Sequence, residues 1–190
     1  MSNRVWPFIR RVVLPVLIVF VAVVIYLNAK NPAPPAVGTT APLFTLPSQE
    51  GASVNLADYR GQWVVLYFYP HDFTMGCTVE AHNFQRDQAQ YVQKKAVVLG
   101  VSVDTADSHK QFCTKEGLNF KLLADTNHRV SLAYGSLTDL ALVKFASRHT
   151  FIVNPEGKIA KSFTSVNPNR HSEEVLSALA ELQSQTVGSR

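Results

Sequence analysis

Hydrophobic positions along the chain fall into three patterns. From Val12 to Leu27 the run is apolar without a break. A soluble helix of that length keeps a polar face toward water, and this run shows none. Its sixteen residues reach roughly 24 Å as a helix, and with Trp6, Phe8 and Ile9 partly immersed the segment is predicted to cross a bilayer. The second pattern is a shorter run of β-branched and aromatic residues, Trp63 to Tyr69, which stops at Pro70 and is repeated by Ala96 to Val103. Such runs fit central strands buried on both faces. Between them, Cys77 to Lys95 has helical length and polarity, with Phe84 and Tyr91 seven residues apart on one face. Strand, helix and strand in that order predict a parallel pair.

The third pattern mixes short runs with turn and cap signals. Asp104 or Thr105 can cap a helix that carries Phe112 and Cys113 and ends near Gly117, with an acid in its first turn and lysine in its last. A short strand is expected around Asn119–Leu123. His149–Val153 and Ile159–Phe163 flank Asn154-Pro-Glu-Gly157, which predicts an antiparallel hairpin. A last helix sets Val175, Leu176, Leu179 and Leu182 on one face. The order of elements gives an α/β three-layer sandwich with a mixed sheet. The expected organisation is a membrane anchor over 1–30, a Pro-rich linker over 31–37, one domain over 38–184 and a tail over 185–190.

Composition narrows this picture. A chain of 190 residues, 46% hydrophobic and 17% charged, has room for one domain with a real core. Two cysteines exclude a disulfide-stapled miniprotein and a Cys-rich zinc module. The formal charge of +4 sits at the N-terminus: residues 1–36 hold Arg4, Arg10, Arg11 and Lys30 and no acid, which leaves 14 basic against 14 acidic residues from Val37 onward. A neutral body gives no footprint for nucleic acid. Three arginines before the apolar run and one lysine after it orient the N-terminus toward the cytoplasm and the domain toward the periplasm or cell exterior. The alternative is a signal peptide cleaved on export, although Leu27-Asn28-Ala29 is a poor small-x-small site. Asn31-Pro-Ala-Pro-Pro-Ala36 reads as an extended spacer.

Chemistry concentrates in Tyr69-Pro70-His71-Asp72-Phe73-Thr74-Met75-Gly76-Cys77-Thr78-Val79-Glu80, where a buried strand runs into a helix. Ligand sites in open α/β sheets gather beyond the carboxyl ends of strands. A cysteine in the first turn of a helix meets unpaired N–H groups and a partial positive charge, which favour thiolate over thiol. The residues by themselves also allow Cys77 to be one more small buried hydrophobe.

Pro70, Thr74 and Cys77 match the Pro-x-x-x-Thr-x-x-Cys pattern of the peroxiredoxins, and the chain resembles that family. It is most similar to the bacterioferritin-comigratory, or PrxQ, branch. Val65-Leu-Tyr-Phe-Tyr-Pro70, Gly76-Cys-Thr-x-Glu80, Gly100-Val-Ser-Val-Asp104, Phe120-x-Leu-Leu-Ala-Asp125 and Arg148-x-Thr-Phe-Ile-Val153 carry the likeness, which runs from about Gly38 to Leu182. The resemblance implies a thioredoxin-like fold and a thiol peroxidase acting on hydrogen peroxide and organic hydroperoxides. In it Cys77 is the peroxidatic cysteine, Thr74 hydrogen-bonds the peroxide, Pro70 shields the pocket and Arg148 holds the thiolate and the polarised O–O bond. The branch often places a resolving cysteine five residues after the first, where this chain has His82. Other members place it in the helix that here holds Cys113, so the resemblance implies Cys113 as resolving cysteine and an intramolecular disulfide recycled by a thioredoxin-like protein.

A one-cysteine enzyme using an external thiol, with Cys113 merely packing, and a permanent Cys77–Cys113 disulfide remain open alternatives. Because two helices rarely hold their cysteines within bonding reach, the first turn around Cys77 is expected to unwind before resolution. A thioredoxin-type oxidoreductase would want Cys-x-x-Cys, and residue 80 is Glu; a Sco-like copper protein would want Cys-x-x-x-Cys, and residue 81 is Ala. His71, His82, His109, His128, His149 and His171 show no metal-ligand spacing, so neither metal nor cofactor is expected. His71 and His149 neighbour proposed site residues and could tune the thiolate.

Overall fold

The computed structural model of the protein describes residues 13–18, 32–140 and 142–188. The chain divides into two units between Pro32 and Ala33. In the first unit, residues 13–18 are helical and exposed, and the rest of the apolar run expected to span a membrane lies outside the described residues. Among the described residues no helix is long and apolar enough to cross a membrane. Residues 32–36 adopt no regular structure.

The second unit is built on a five-stranded sheet. Its strands are β3 (Trp63–Phe68), β4 (Ala96–Ser102), β5 (Lys121–Ala124), β8 (Thr150–Val153) and β9 (Ile159–Phe163), in spatial order β5-β4-β3-β8-β9. β3, β4 and β5 are parallel neighbours, whereas β8 pairs antiparallel with both β3 and β9. The sheet is mixed, and the Asn154–Gly157 turn closes the β8–β9 hairpin through Gly157 N–H to the Asn154 carbonyl at 2.8 Å, with Gly157 at φ +74°. Every residue of β3 is buried, and the two-residue alternation of strands divides them: Trp63, Val65 and Tyr67 enter one core, Val64, Leu66 and Phe68 the other.

The first core carries the helices α1 (Met75–Arg86), α2 (Gln88–Gln93), α3 (Ala106–Glu116) and α5 (His171–Gly188). The second is covered by a small hairpin, β1 (Thr45–Pro47) and β2 (Ser53–Asn55), a 3-10 turn at Leu56–Tyr59, the short helix α4 (Arg129–Ala133) and a second hairpin, β6 (Leu137–Asp139) and β7 (Lys144–Ala146). Thr105 caps α3 by accepting from Ser108 N–H at 3.2 Å, and Gly117 ends it in the left-handed region at φ +66°.

Two sequence expectations change. The single helix over Cys77–Lys95 is two, because the chain bends at Asp87, whose carboxylate accepts from Arg86 and from the Ser172 hydroxyl of α5 at 2.7 Å. Phe84 and Tyr91 still meet, with ring centroids 5.9 Å apart, but from separate helices. The tail over 185–190 does not begin at 185, since α5 continues to Gly188. The two hairpins and α4 gave no sequence signal, because they are too short for their periodicity to be read.

Candidate active site

β3 delivers the chain to the site, and Tyr69 and Pro70 carry it past the sheet edge. Thr74 is the N-cap residue of α1, and its hydroxyl donates to the His71 carbonyl at 3.0 Å, not to the helix. Phe73, just before it, has φ +60°, a conformation bulky residues rarely adopt. Its ring packs edge-on against Phe112 of α3 at 5.1 Å, with the Lys115 ammonium 5.4 Å from its centroid. The loop before α1 is thereby fastened to α3.

Cys77 lies in the first turn of α1 and is 1% exposed. Arg148 reaches it because β8 runs antiparallel to β3: with Tyr67 opposite Thr150, the residues just before β8 sit where β3 ends. Arg148 Nη2 donates to Cys77 Sγ at 3.3 Å, and Nη1 donates to Glu80 Oε2. Gly76 lies against the guanidinium: a Cβ there would be 3.4 Å from Nη2.

Glu80 is one helical turn beyond Cys77 and wholly buried. Burial pushes its carboxyl up to about 7 from 4.5, against the pull of the Arg148 guanidinium. No motif in the sequence gives Glu80 a role; its one signal there is a carboxylate on the apolar face between Cys77, Ala81 and Phe84.

Cys113 is on α3, 8% exposed, in the same apolar core as Cys77, and both thiols are free. A permanent disulfide is therefore not present in this structure. Burial, with the nearby charges of Asp72 and Glu50, pushes the Cys113 thiol up to about 12. Pro70 is half-buried at the end of β3. His71 is held by Asp104 at 3.1 Å, and His149 by the Ser136 hydroxyl at 3.0 Å. His82 pairs with Glu116 across α1 and α3 at 3.0 Å. Among the described residues no group of three His, Cys, Asp or Glu side chains is arranged to hold a metal ion.

A second polar cluster lies beside the first. The carboxylate of Asp72 accepts from Tyr69 Oη at 2.8 Å and Ser108 Oγ at 2.7 Å, and faces His109 Nδ1 at 2.9 Å. Asp104 in turn accepts from Asp72 N–H at 3.0 Å.

A mixed sheet with a buried cysteine opening the helix after its central strand, contacted by an arginine from the antiparallel neighbour, defines a thioredoxin-like thiol redox protein. The chain belongs to the AhpC/TSA family, whose sequence pattern matches residues 37–162. It is 38% identical to peroxiredoxin Bcp of Escherichia coli over 149 residues, 76% of this chain and 95% of that protein. With peroxiredoxin Bcp of Bacillus subtilis it shares 34% identity over 154 residues, 77% of this chain and 96% of the relative. Among solved structures, a PrxQ variant from Xylella fastidiosa superposes with a TM-score of 0.73 at 33% identity, covering 77% of this chain and 96% of that one. The protein is accordingly a peroxiredoxin-type peroxidase, an oxidoreductase. The copper-protein reading is not favoured.

Proposed function

We propose that Cys77 is the nucleophile of a two-cysteine hydroperoxide reductase. The observation that carries this reading is the Arg148 guanidinium on the Cys77 sulfur, brought from 71 positions away while Glu80 holds its other arm. The Cys77 thiolate attacks the terminal oxygen of a hydroperoxide; an S–O bond forms, the O–O bond breaks, and the departing alkoxide or hydroxide takes a proton to leave as alcohol or water. Negative charge moves from sulfur onto the leaving oxygen, where a fixed cationic donor stabilises the transition state more than the ground state. The Thr74 oxygen, its own proton committed to His71, can accept from the peroxide O–H, and Pro70 keeps water from the pocket.

Cys113 then resolves the Cys77 sulfenic acid to a disulfide. Two buried cysteines on separate helices must approach to about 7 Å between Cα atoms, which requires the first turn of α1 to unwind. A thioredoxin-like dithiol protein returns the disulfide to thiols. The apolar run from Val12 anchors the chain in the cytoplasmic membrane with the domain outside the cytoplasm, so this reductant is an extracytoplasmic one.

The test treats the domain from residue 33 onward with one equivalent of hydrogen peroxide, followed by stopped-flow and intact mass, with Cys113→Ser beside it. Fast oxidation ending in a Cys77–Cys113 disulfide, with sulfenic acid trapped in the variant, is expected. Oxidation that halts at sulfenic acid in both proteins would replace this with the one-cysteine mechanism. Oxidation no faster than that of a free thiol would remove Cys77 as peroxidatic residue.

A further inference from the structure

Resolution through Cys113 poses a chemical problem. The thiolate is the nucleophile in disulfide formation, and at neutral pH a thiol with the burial of Cys113 carries almost no thiolate. A base must take its proton.

His109 lies four residues before Cys113 on α3, so the two share one face of the helix, and both are buried there. The imidazole is 0% exposed. Its Nδ1 sits 2.9 and 3.1 Å from the two oxygens of Asp72, a group that also accepts from the hydroxyls of Tyr69 and Ser108. A carboxylate that only accepts places the ring proton on Nδ1. Nε2 is then a bare lone pair, and among the described residues it has no hydrogen-bond partner. A buried unpaired acceptor costs stability and calls for an explanation in function.

We propose that His109 is the base that deprotonates Cys113 for disulfide formation, held in the correct tautomer by Asp72 as positioning residue. The inference rests on the reading of Cys113 as resolving cysteine. In the step, Nε2 takes the Cys113 proton and the thiolate attacks the Cys77 sulfur. An S–S bond forms and the S–O bond of the sulfenic acid breaks. Hydroxide leaves and recovers a proton from His109 to depart as water; Cys77 sulfur is reduced by the electron pair that oxidises Cys113. Asp72 faces the imidazolium as counter-charge, and Asp104 fixes the Asp72 backbone. The other charged or titratable groups around the step are Arg148 on the Cys77 sulfur with Glu80 behind it, Glu50, which acts on Cys113, and Tyr67 and Tyr69, whose hydroxyls burial keeps protonated. The same Asp72–His109 contact ties the loop before α1 to α3, so the base stands between the two segments that must meet.

The experiment follows both phases of a single turnover, Cys77 oxidation and disulfide formation, by stopped-flow and quenched mass analysis between pH 6 and 9. The proteins are the wild type, His109→Gln and Asp72→Asn. In His109→Gln the ratio of the second rate to the first is expected to fall about a hundredfold at pH 7, and the second rate to rise about tenfold per pH unit where the wild type is shallower. Asp72→Asn is expected to fall in between. A second phase unchanged in rate and pH profile in His109→Gln overturns the base while leaving Cys113 as resolving residue. A wild type that never forms the disulfide overturns both readings, and only that result does. Should His109→Gln fail to fold, histidine 15N shifts of the reduced wild type decide: a protonated Nδ1 and bare Nε2 support the proposal, and the reverse tautomer overturns it.

Discussion

At the scale of single residues, the site is a chain of contacts, Glu80 to Arg148 to Cys77. Arg148 is bidentate in its use, one arm on carboxylate and the other on sulfur, a geometry a lysine ammonium cannot reproduce. Arg148→Lys keeps the charge opposite buried Glu80, so the fold is retained, while Cys77 oxidation by hydrogen peroxide slows about 100-fold in stopped-flow. Glu80 gives a pH prediction with a definite sign. Because burial raises its carboxyl to about 7 from 4.5, the folded protein binds that proton more tightly than the unfolded chain does. The stability it contributes is complete below about 4.5 and is lost as pH rises through about 7. At about 1.4 kcal/mol per pKa unit the loss is on the order of 3 kcal/mol. Urea unfolding of wild type and Glu80→Gln should therefore give a difference in stability that declines with pH across this window; a flat difference would contradict the assignment.

At the scale of elements, the site depends on how α1 and α3 are held against the sheet. Gly100 leaves space on the sheet beneath them, since a Cβ there would come within 2.8 Å of the Tyr67 ring and 2.6 Å of Leu122. Tyr67 stacks on Phe84 of α1 at 4.7 Å, so pressure at Gly100 passes to the helix that carries Cys77. Gly100→Ala should lower stability by about 1–3 kcal/mol in denaturant melts, through overpacking. Thr105 starts the helix that carries Cys113, and Thr105→Ala should lower stability in the same melts by about 1 kcal/mol through loss of the cap. α1 is joined to α3 by His82 on Glu116, and the loop before α1 by Phe73 on Phe112. His82 thus occupies the place of the absent nearby cysteine as a link between the two cysteine-bearing helices.

At the scale of the whole molecule, strand order decides which residues can meet. β3, β4 and β5 lie side by side in chain order, and right-handed crossovers between successive parallel strands put α1, α2 and α3 on one face. Cys77 and Cys113 therefore share a core although 36 positions separate them. The first unit carries a separate expectation, drawn from the apolar run and its flanking arginines. The full chain should sediment with membranes and resist alkaline carbonate, whereas a chain beginning at Ala33 should stay in the supernatant. Release of the full chain by carbonate would remove the anchor.

What depends on a few neighbouring residues is legible in the chain before it folds. The buried run of β3, the Thr105 and Gly117 ends of α3, the β8–β9 turn and a cysteine at the strand-to-helix junction are all local patterns, and each is present in the structure. The break at Asp87 was not legible, because the hydroxyl that holds its carboxylate comes from α5, 85 positions on. Nor were the burial of Glu80 or the Asp72–His109 pair, and the seating of Arg148 on the Cys77 sulfur was implied by the family resemblance alone, not by any local pattern. Those contacts join segments 37 to 71 residues apart, and only the pairing of β8 against β3 and the shared face of α1 and α3 bring them into range. Periodicity and capping act over one or two turns of chain, whereas the electrostatics of a buried site belongs to whichever groups the packed sheet leaves without water.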